Sequence, residues 1–252
     1  MKKIILILIS IFIFYNGINA QNIETLVKKG NTAYQNNKYS EAIENYQKII
    51  KQGYISSELF YNLGNAYFKN NNLGKAILYY EKSLKLSPLD EDAAYNLKIA
   101  KARTVDKIKE VPQIFIVRWW NILLTSFSIS GWKIIVLIFY FLLLISIGIF
   151  LFIKNANIQR ITFVFGLFNL IVFIISVIIF ISAYTRTTTT SYGILQKSAV
   201  TAKISPDTQS NDAFVIHEGT KFLLEDKVNN WVKIKLADGK IGWLPENTFL
   251  TI

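Results

Sequence analysis

The side chains that could carry out catalysis are few in this chain. It contains no cysteine and one histidine, His217. Thiol chemistry, disulfides and thiolate-bound metals are therefore excluded, and any Ser-His-Asp triad would have to use that histidine. Glu218 follows it directly, but neighbours in a strand point to opposite faces. We interpret His217 as a surface or groove residue. We predict that the protein is not an enzyme and has no catalytic residue, metal site or cofactor.

An acidic cluster is formed by Asp90, Glu91 and Asp92. Carboxylates are favoured at the start of a helix, where the helix dipole is positive, and this is our interpretation of the cluster. A metal site is the alternative. The sequence contains no Gly-x4-Gly-Lys-Ser/Thr phosphate loop, no Gly-x-Ser-x-Gly elbow and no His-Glu-x2-His motif. The chain therefore offers binding surfaces rather than reactive groups.

Residues 23–110 contain an internal repeat with a period of 34 residues. The recurring pairs include Gly30 and Gly64, Asn31 and Asn65, Asn37 and Asn71, Ala42 and Ala76, and Tyr46 and Tyr80. A fixed period of this length with helical apolar spacing is typical of helix pairs that stack on one another. The pattern resembles the tetratricopeptide repeat. We predict an all-α solenoid over 21–110, with repeats at 23–56 and 57–90 and a capping helix at 91–110.

In tetratricopeptide domains the first helix of each pair lines a concave groove. The resemblance therefore implies a protein-binding groove, in which asparagines pair with a peptide backbone and aromatic rings supply apolar contact. The alternative for each of these residues is simple packing between repeats. The predicted groove residues are Asn31, Tyr34, Tyr61, Asn62, Asn65, Phe68, Tyr95 and Asn96.

The first twenty residues, 1–20, have the organisation of a secretory signal peptide. Lys2 and Lys3 precede an apolar run from Ile4 to Tyr15, and small and polar residues follow up to Ala20. The alternative is an uncleaved signal anchor. In either case we expect the segment that follows to be exported.

Two apolar runs contain no charge, from about Ile134 to Ile153 and from Ile161 to Tyr184. Each is long enough to cross a ~30 Å hydrocarbon core as a helix, and we predict transmembrane helices at 132–153 and 161–184. The loop between them, 154–160, carries Lys154 and Arg160 and no acid, so we expect it to be cytoplasmic. An exported N-terminal domain followed by two spans places both soluble domains outside. The uncharged spans argue against a transporter subunit. Linkers are predicted at 111–131 and 185–195.

The last segment, 196–252, has the patterning of a small all-β domain. Apolar residues alternate with lysines from Val232 to Leu236, and Asp238-Gly239 then predicts a two-residue hairpin turn. Five short strands suggest a barrel. The segment resembles the bacterial SH3 domain. Two interpretations of its aromatic residues stay open: Phe214, Trp231 and Trp243 line a ligand groove, or the aromatics form the core, which we favour for Phe222 and Trp243.

The order of these segments defines a multidomain membrane protein: a tetratricopeptide solenoid, a two-helix transmembrane hairpin and an SH3-like barrel. This arrangement resembles the BatE-type proteins of Bacteroides aerotolerance. The resemblance implies a non-enzymatic inner-membrane scaffold, and the predicted topology then places both soluble domains in the periplasm. It also implies that the protein functions together with von Willebrand A-domain proteins and a MoxR-type ATPase. The alternative function is a cell-wall sensor or tether whose SH3-like domain binds peptidoglycan peptides. The basic residues lie mainly around apolar segments, so no nucleic-acid partner is expected.

Overall fold

The computed structural model describes residues 22–109 and 111–252. The predicted signal peptide at 1–20 lies outside the described residues. The first part of the described chain is all helical, as the repeat predicts. Its five helices are α1 (residues 22–35), α2 (Tyr39–Lys51), α3 (Ser57–Lys69), α4 (Leu73–Leu86) and α5 (Glu91–Ala102).

The turns inside the two helix pairs repeat in atomic detail. Asn37 and Asn71, which are 34 residues apart, both adopt a left-handed backbone conformation with φ of 59° and 56°. Asparagine tolerates this region better than most residues, so it suits the tight turn between two antiparallel helices. The next residue after the second turn, Asn72, caps α4 by accepting a hydrogen bond from Lys75 N.

The acidic cluster begins α5. Asp90 is the N-cap residue, and its Oδ1 accepts a hydrogen bond from Ala93 N at 2.9 Å. Glu91 and Asp92 occupy the first turn, where their charges complement the helix dipole. The interpretation of these residues as a helix start is confirmed.

In each helix pair, a glycine of the first helix lies against a tyrosine ring of the second. A Cβ atom added to Gly64 would lie 2.6 Å from ring carbons of Tyr80, and Gly30 faces Tyr46 in the same way. Both tyrosine rings are almost fully buried. The repeated Gly–Tyr pairs therefore explain the spacing seen in the sequence, because only a residue without a side chain admits the ring of the facing helix.

The middle of the chain contains three helices: α6 (Phe115–Thr125), α7 (Ile129–Phe152) and α8 (Ala156–Thr189). In α7 and α8 the most apolar windows have mean hydropathies of 3.1 and 3.0. These two helices are long and apolar enough to cross a membrane. They pack against each other as an antiparallel hairpin and leave most of their large apolar side chains exposed.

The helices extend beyond the predicted spans. Helix α8 begins at Ala156, because Asn155 accepts hydrogen bonds from the backbone of Asn157 and Ile158, and so takes in most of the predicted loop 154–160. Helix α6 lies within the predicted linker 111–131. Hydropathy locates the apolar centre of a span, whereas capping and local hydrogen bonds decide where the helix ends.

The C-terminal part is an antiparallel sheet of seven strands in the order β3-β2-β6-β5-β4-β1-β7. Its side chains on one face enclose a core that includes Phe222, Ile234 and Leu244. The strands are β1 (Tyr192–Leu195), β2 (Ala199–Lys203), β3 (Asp212–His217), β4 (Lys221–Val228), β5 (Trp231–Lys235), β6 (Ile241–Pro245) and β7 (Phe249–Thr251).

Three features of this sheet differ from the sequence prediction. It has seven strands rather than five. Strand β1 falls in the predicted linker 185–195; it pairs with both β4 and β7 but is too short to show an alternating pattern. The β5–β6 turn has three residues rather than two. Leu236 N donates to Lys240 O, and Gly239 adopts a φ of 93°. A left-handed glycine at the end of a turn is typical of the three-residue hairpin loop.

Replacing Gly64 by Ala tests the close helix contact. Alanine would stabilise an exposed helix position relative to glycine. Here we expect a loss of about 1–3 kcal/mol, because the added methyl group meets a buried ring. Hydrogen exchange of α3 and α4 in the full-length protein measures the effect.

The matched control is Gly148→Ala in α7, where an added Cβ has nothing within 4 Å. We expect it to leave exchange in α3 and α4 unchanged. Unchanged protection in the Gly64→Ala variant would contradict the proposed packing.

Candidate protein-binding groove

Two adjoining cavities lie on the face formed mainly by α1, α3 and α5. They share Tyr34 and Asn65, so they form one continuous depression. The cavity of about 260 Å³ is lined by Tyr34, Tyr61, Asn65, Phe68, Lys69, Tyr80, Asn96 and Ile99. The cavity of about 240 Å³ is lined by Asn31, Tyr34, Gln35, Tyr46, Glu58, Asn62 and Asn65. We refer to this depression as the groove.

All but one of the residues predicted for the groove line it. The exception is Tyr95, which is 64% exposed and lines neither cavity. It is adjacent to Asn96 in α5, and adjacent helix residues are rotated by about 100°, so only one of the two can face inward. Sequence reasoning missed Tyr46 and Tyr80, which reach the groove from the second helices; their recurrence after 34 residues was the available signal.

Three of the four groove asparagines take part in packing. Asn31 Oδ1 accepts from Tyr46 Oη, and Asn65 Oδ1 accepts from Tyr80 Oη, both at 2.7 Å. These two bonds are equivalent in the two repeats. Asn96 Nδ2 donates to Asn65 Oδ1 at 2.9 Å. These amides hold the groove floor in shape.

Asn62 differs from the other groove asparagines. Its side chain makes no hydrogen bond to any of the described residues, and it is partly exposed in the groove wall. A side-chain amide offers both a donor and an acceptor, which matches the alternating groups of a peptide backbone. Asn62 is therefore the groove asparagine best placed to bind a ligand.

The groove is polar and aromatic, with little net charge. Burial raises the pKa of Tyr46 to about 12 and raises that of Tyr80 further, so both phenols stay neutral at physiological pH. Glu58 and Lys69 contribute one charge of each sign. This chemistry suits an uncharged stretch of polypeptide better than a strongly acidic or basic one.

The β domain docks on the other side of the repeats through a shared carboxylate. Glu81 of α4 is 11% exposed at its side chain and lies 2.7 Å from the ammonium groups of both Lys101 and Lys221. Burial by itself raises the pKa of Glu81, but the two cations and their hydrogen bonds outweigh it and hold the pKa below its ordinary value. Lys221 belongs to β4, so this group joins the repeats to the sheet.

A second polar contact binds the segment after α5 to the β domain. Asp106 accepts hydrogen bonds from Thr220 Oγ1 at 2.6 Å and from the backbone N of His217 at 2.7 Å. The imidazole Nδ1 of His217 lies 2.9 Å from Asp106 Oδ1. Glu218 also accepts a hydrogen bond from Gly74 N, at the start of α4. The one histidine of the chain is thus part of a domain interface.

The residues of this docking interface and those of the groove are distinct. The interface uses the side of α4 that carries Gly74, Ile77 and Glu81, together with Lys101 and Asp106. None of these residues lines either groove cavity. The β domain is therefore held against the repeats while the groove stays open.

The aromatic residues predicted to line an SH3-like groove are divided between two faces of the sheet. Phe214 packs inward against the core, above Gly242. Trp243 is not in the core, which corrects our expectation, because Gly242 and Leu244 take the inward positions of β6. It lies on the same face as Trp231, diagonally across the β5–β6 pair. Phe222 is buried in the core, as expected.

Comparison with known proteins supports the interpretation of the helical part. Residues 27–91, about a quarter of the chain, match the family model of the tetratricopeptide repeat. The chain therefore contains tetratricopeptide repeats, which are typically a non-enzymatic module for protein–protein interaction. A search of curated protein sequences finds no match.

Replacing Lys221 by Gln tests the docking interface. We expect docking of the β domain to weaken by about 1–3 kcal/mol, because Glu81 keeps its burial and loses one of two cations. Faster hydrogen exchange in β1 and at the start of α4 would report this loosening. The control is Lys240→Gln, which removes an exposed lysine paired with Asp238 inside the β domain. Equal exchange in both variants would contradict the role of Lys221.

The same interface predicts a dependence on pH. Burial raises the pKa of Asp106, but its hydrogen bonds from Thr220 and His217 outweigh this, and its pKa is below the ordinary 3.8; that of Glu81 is below 4.5. A lowered carboxyl pKa contributes stability that is complete above the ordinary value and lost as the pH falls through the folded value. We expect docking to persist at neutral pH and loosen below about pH 4.

Proposed function

We propose that the protein is a membrane-anchored scaffold whose tetratricopeptide groove binds an extended segment of a partner protein. The observation that carries the proposal is the open groove. Its floor is held by repeated Tyr–Asn hydrogen bonds, and its wall presents Asn62 among exposed edges of aromatic rings. A pre-formed surface of this kind lowers the entropic cost of binding a peptide.

The helical hairpin supports the membrane anchor. Large apolar side chains cover the outside of α7 and α8, whereas Ser146, Thr162, Asn169 and Ser176 are buried between the helices. A soluble helix pair would place apolar side chains inside and polar ones outside. The reversed arrangement suits a hydrocarbon surrounding, where small and polar residues mediate helix contact.

The position of the soluble domains follows from the hairpin. The repeats and α6 come before α7 in the chain, and the β domain comes after α8. Because α7 and α8 are antiparallel, α7 begins at the same end of the hairpin at which α8 ends, so both soluble domains lie at that end. The opposite end carries Lys154 and Arg160 and no acid, which favours the cytoplasm. We therefore propose that both soluble domains are periplasmic, in an inner membrane.

The resemblance to BatE-type proteins supplies the candidate partners. We propose von Willebrand A-domain membrane proteins as ligands of the groove, within an aerotolerance or envelope-stress complex that includes a MoxR-type ATPase. Peptidoglycan binding by the β domain is less well supported. Of the three aromatic residues predicted to form its groove, Phe214 faces the core and only Trp231 and Trp243 share the outer face.

The groove is tested by Asn62→Ala and Phe68→Ala in the tagged full-length protein, purified from its native membranes in mild detergent. We expect A-domain proteins to be recovered with the unmodified chain. Each variant should lower their recovery about tenfold, the effect of losing roughly 1.4 kcal/mol of binding free energy.

Tyr95→Ala is the matched control, because Tyr95 is an exposed aromatic residue of the same domain outside the groove. We expect it to retain the partners. Equal recovery from all variants would exclude the groove as the binding site. Recovery of the unmodified chain by itself would overturn the scaffold proposal.

The topology is tested by single cysteines, which the chain allows because it has none of its own. We use Lys51→Cys in the repeats, Gln209→Cys in the β domain and Asn157→Cys at the hairpin tip. A membrane-impermeant maleimide should label the first two variants in spheroplasts and the third only after permeabilisation. The reverse pattern would contradict the proposed orientation, and labelling of all three in intact spheroplasts would contradict insertion.

A further inference from the structure

A third cavity lies where all three parts of the molecule meet. It has a volume of about 230 Å³. Its walls come from α4, from the ends of the helices α6, α7 and α8, and from strands β1 and β4 of the β domain. It is therefore formed only when the repeats, the hairpin and the β domain are assembled together. We refer to it as the junction cavity.

The junction cavity has a basic side. Lys85, Arg186 and Lys221 line it, and Glu81 is the one acid among its described lining residues. Glu81 is already shared by Lys101 and Lys221. Lys85 Nζ donates at 3.3 Å to a carboxyl oxygen of Ile252, the last residue of the sequence, which also lines the cavity. Arg186 donates to Asn121 Oδ1 and pairs with no acidic side chain in the described part of the chain. Arg186 is thus the lining cation without an acidic partner, and the three basic side chains outnumber the one acidic side chain.

The opposite side of the junction cavity is apolar. Leu124, Phe127, Ile129 and Ala183 line it at the ends of α6, α7 and α8. A site that combines a basic side with an apolar wall fits a ligand that is both anionic and hydrophobic. Inorganic phosphate could pair with the basic side chains but would make no apolar contact with the opposite wall.

Helix α6 places the junction cavity at the depth of lipid headgroups. Its residues Phe115 and Trp119 are 72% and 77% exposed, on a helix joined to α8 by the Asn121–Arg186 hydrogen bond. Exposed tryptophans next to a membrane span are typical of the membrane–water interface. Lipid phosphates occupy the same depth.

We propose that the junction cavity binds the phosphate headgroup of an anionic phospholipid, with Arg186 and Lys85 contacting the phosphate and the apolar wall contacting the upper acyl chain. The inference goes beyond the groove and rests on the proposed membrane insertion. A lipid bound here would bridge the repeats and the hairpin. The domain assembly would then be most stable in a membrane that contains anionic lipid.

The test uses the full-length protein in neutral detergent, with phosphatidylglycerol, phosphatidylcholine or inorganic phosphate added, and measures bound lipid by native mass spectrometry. We expect phosphatidylglycerol to bind in preference to phosphatidylcholine. The substitutions Arg186→Gln and Lys85→Gln should each weaken it about fivefold, as expected for the loss of one basic residue near a lipid surface, and the double substitution should weaken it more than either alone.

Arg160→Gln is the matched control, since it removes an arginine at the other end of the same helix. We expect it to leave binding unchanged, whereas equal weakening by Arg160→Gln and Arg186→Gln would show general attraction to lipid and overturn the site. Lys85 lies on α4, outside the hairpin, so its variant tests the site even if Arg186→Gln disturbs helix packing.

A competition experiment distinguishes a lipid headgroup from free inorganic phosphate as the ligand. Millimolar inorganic phosphate should not displace phosphatidylglycerol, because it gains nothing from the apolar wall; displacement would overturn the lipid assignment in favour of a soluble phosphate. Membrane insertion is measured separately, by resistance of the protein to alkaline extraction. A chain that resists extraction but binds no anionic lipid would overturn the site alone, whereas an extractable chain would contradict the insertion on which it rests.

Discussion

The arrangement of the soluble parts depends on one buried carboxylate. A carboxylate removed from water is unstable unless it is paired, and Glu81 is paired twice, with Lys101 of the next helix and Lys221 of the β domain. The position of Glu81 on α4 therefore couples folding of the repeats to docking of the sheet. A Cβ atom added to Gly219 would lie 2.8 Å from side-chain carbons of Ile77 and Thr104, so the loop before β4 lies close against the repeats, where Lys221 reaches Glu81.

This docking explains why one helix serves two surfaces. Helix α4 turns Tyr80 toward the groove and Glu81 toward the β domain, and consecutive helix residues are rotated far enough apart to do both. The β domain covers a side of the repeats away from the groove. A partner bound in the groove would therefore contact repeats that are already held in place by the docked β domain.

The packing of the α7–α8 hairpin differs from that of the soluble parts. In water, burying Asn169 at 2% exposure would cost free energy, and its Oδ1 has no partner in the described structure; its Nδ2 reaches Phe139 O at 3.4 Å. Against hydrocarbon the same residue is better placed between two helices than outside them. The polar interior of the hairpin and its apolar exterior are the arrangement expected of a helix pair in a hydrocarbon surrounding, which supports the proposed membrane anchor.

The sequence by itself determined the features that arise from period and composition. The repeat of Gly, Ala and Tyr specified the helix pairs, because close helix crossing admits few residue types, and uncharged runs specified the two long helices. The alternation from Val232 to Leu236 located β5. These patterns are local or periodic, so they can be recognised in a single sequence.

Only the tertiary structure decided which polar groups meet. Glu81 and Lys221 are 140 residues apart, and Asp106 and His217 are 111 apart; nothing near either residue marks its partner, since any acid and base could pair. The same holds for the outward position of Trp243, which depends on strand register. The junction cavity is a product of docking, because its walls come from the repeats, the hairpin and the β domain together. The groove is formed within the repeats, and docking leaves it open because the β domain contacts other residues.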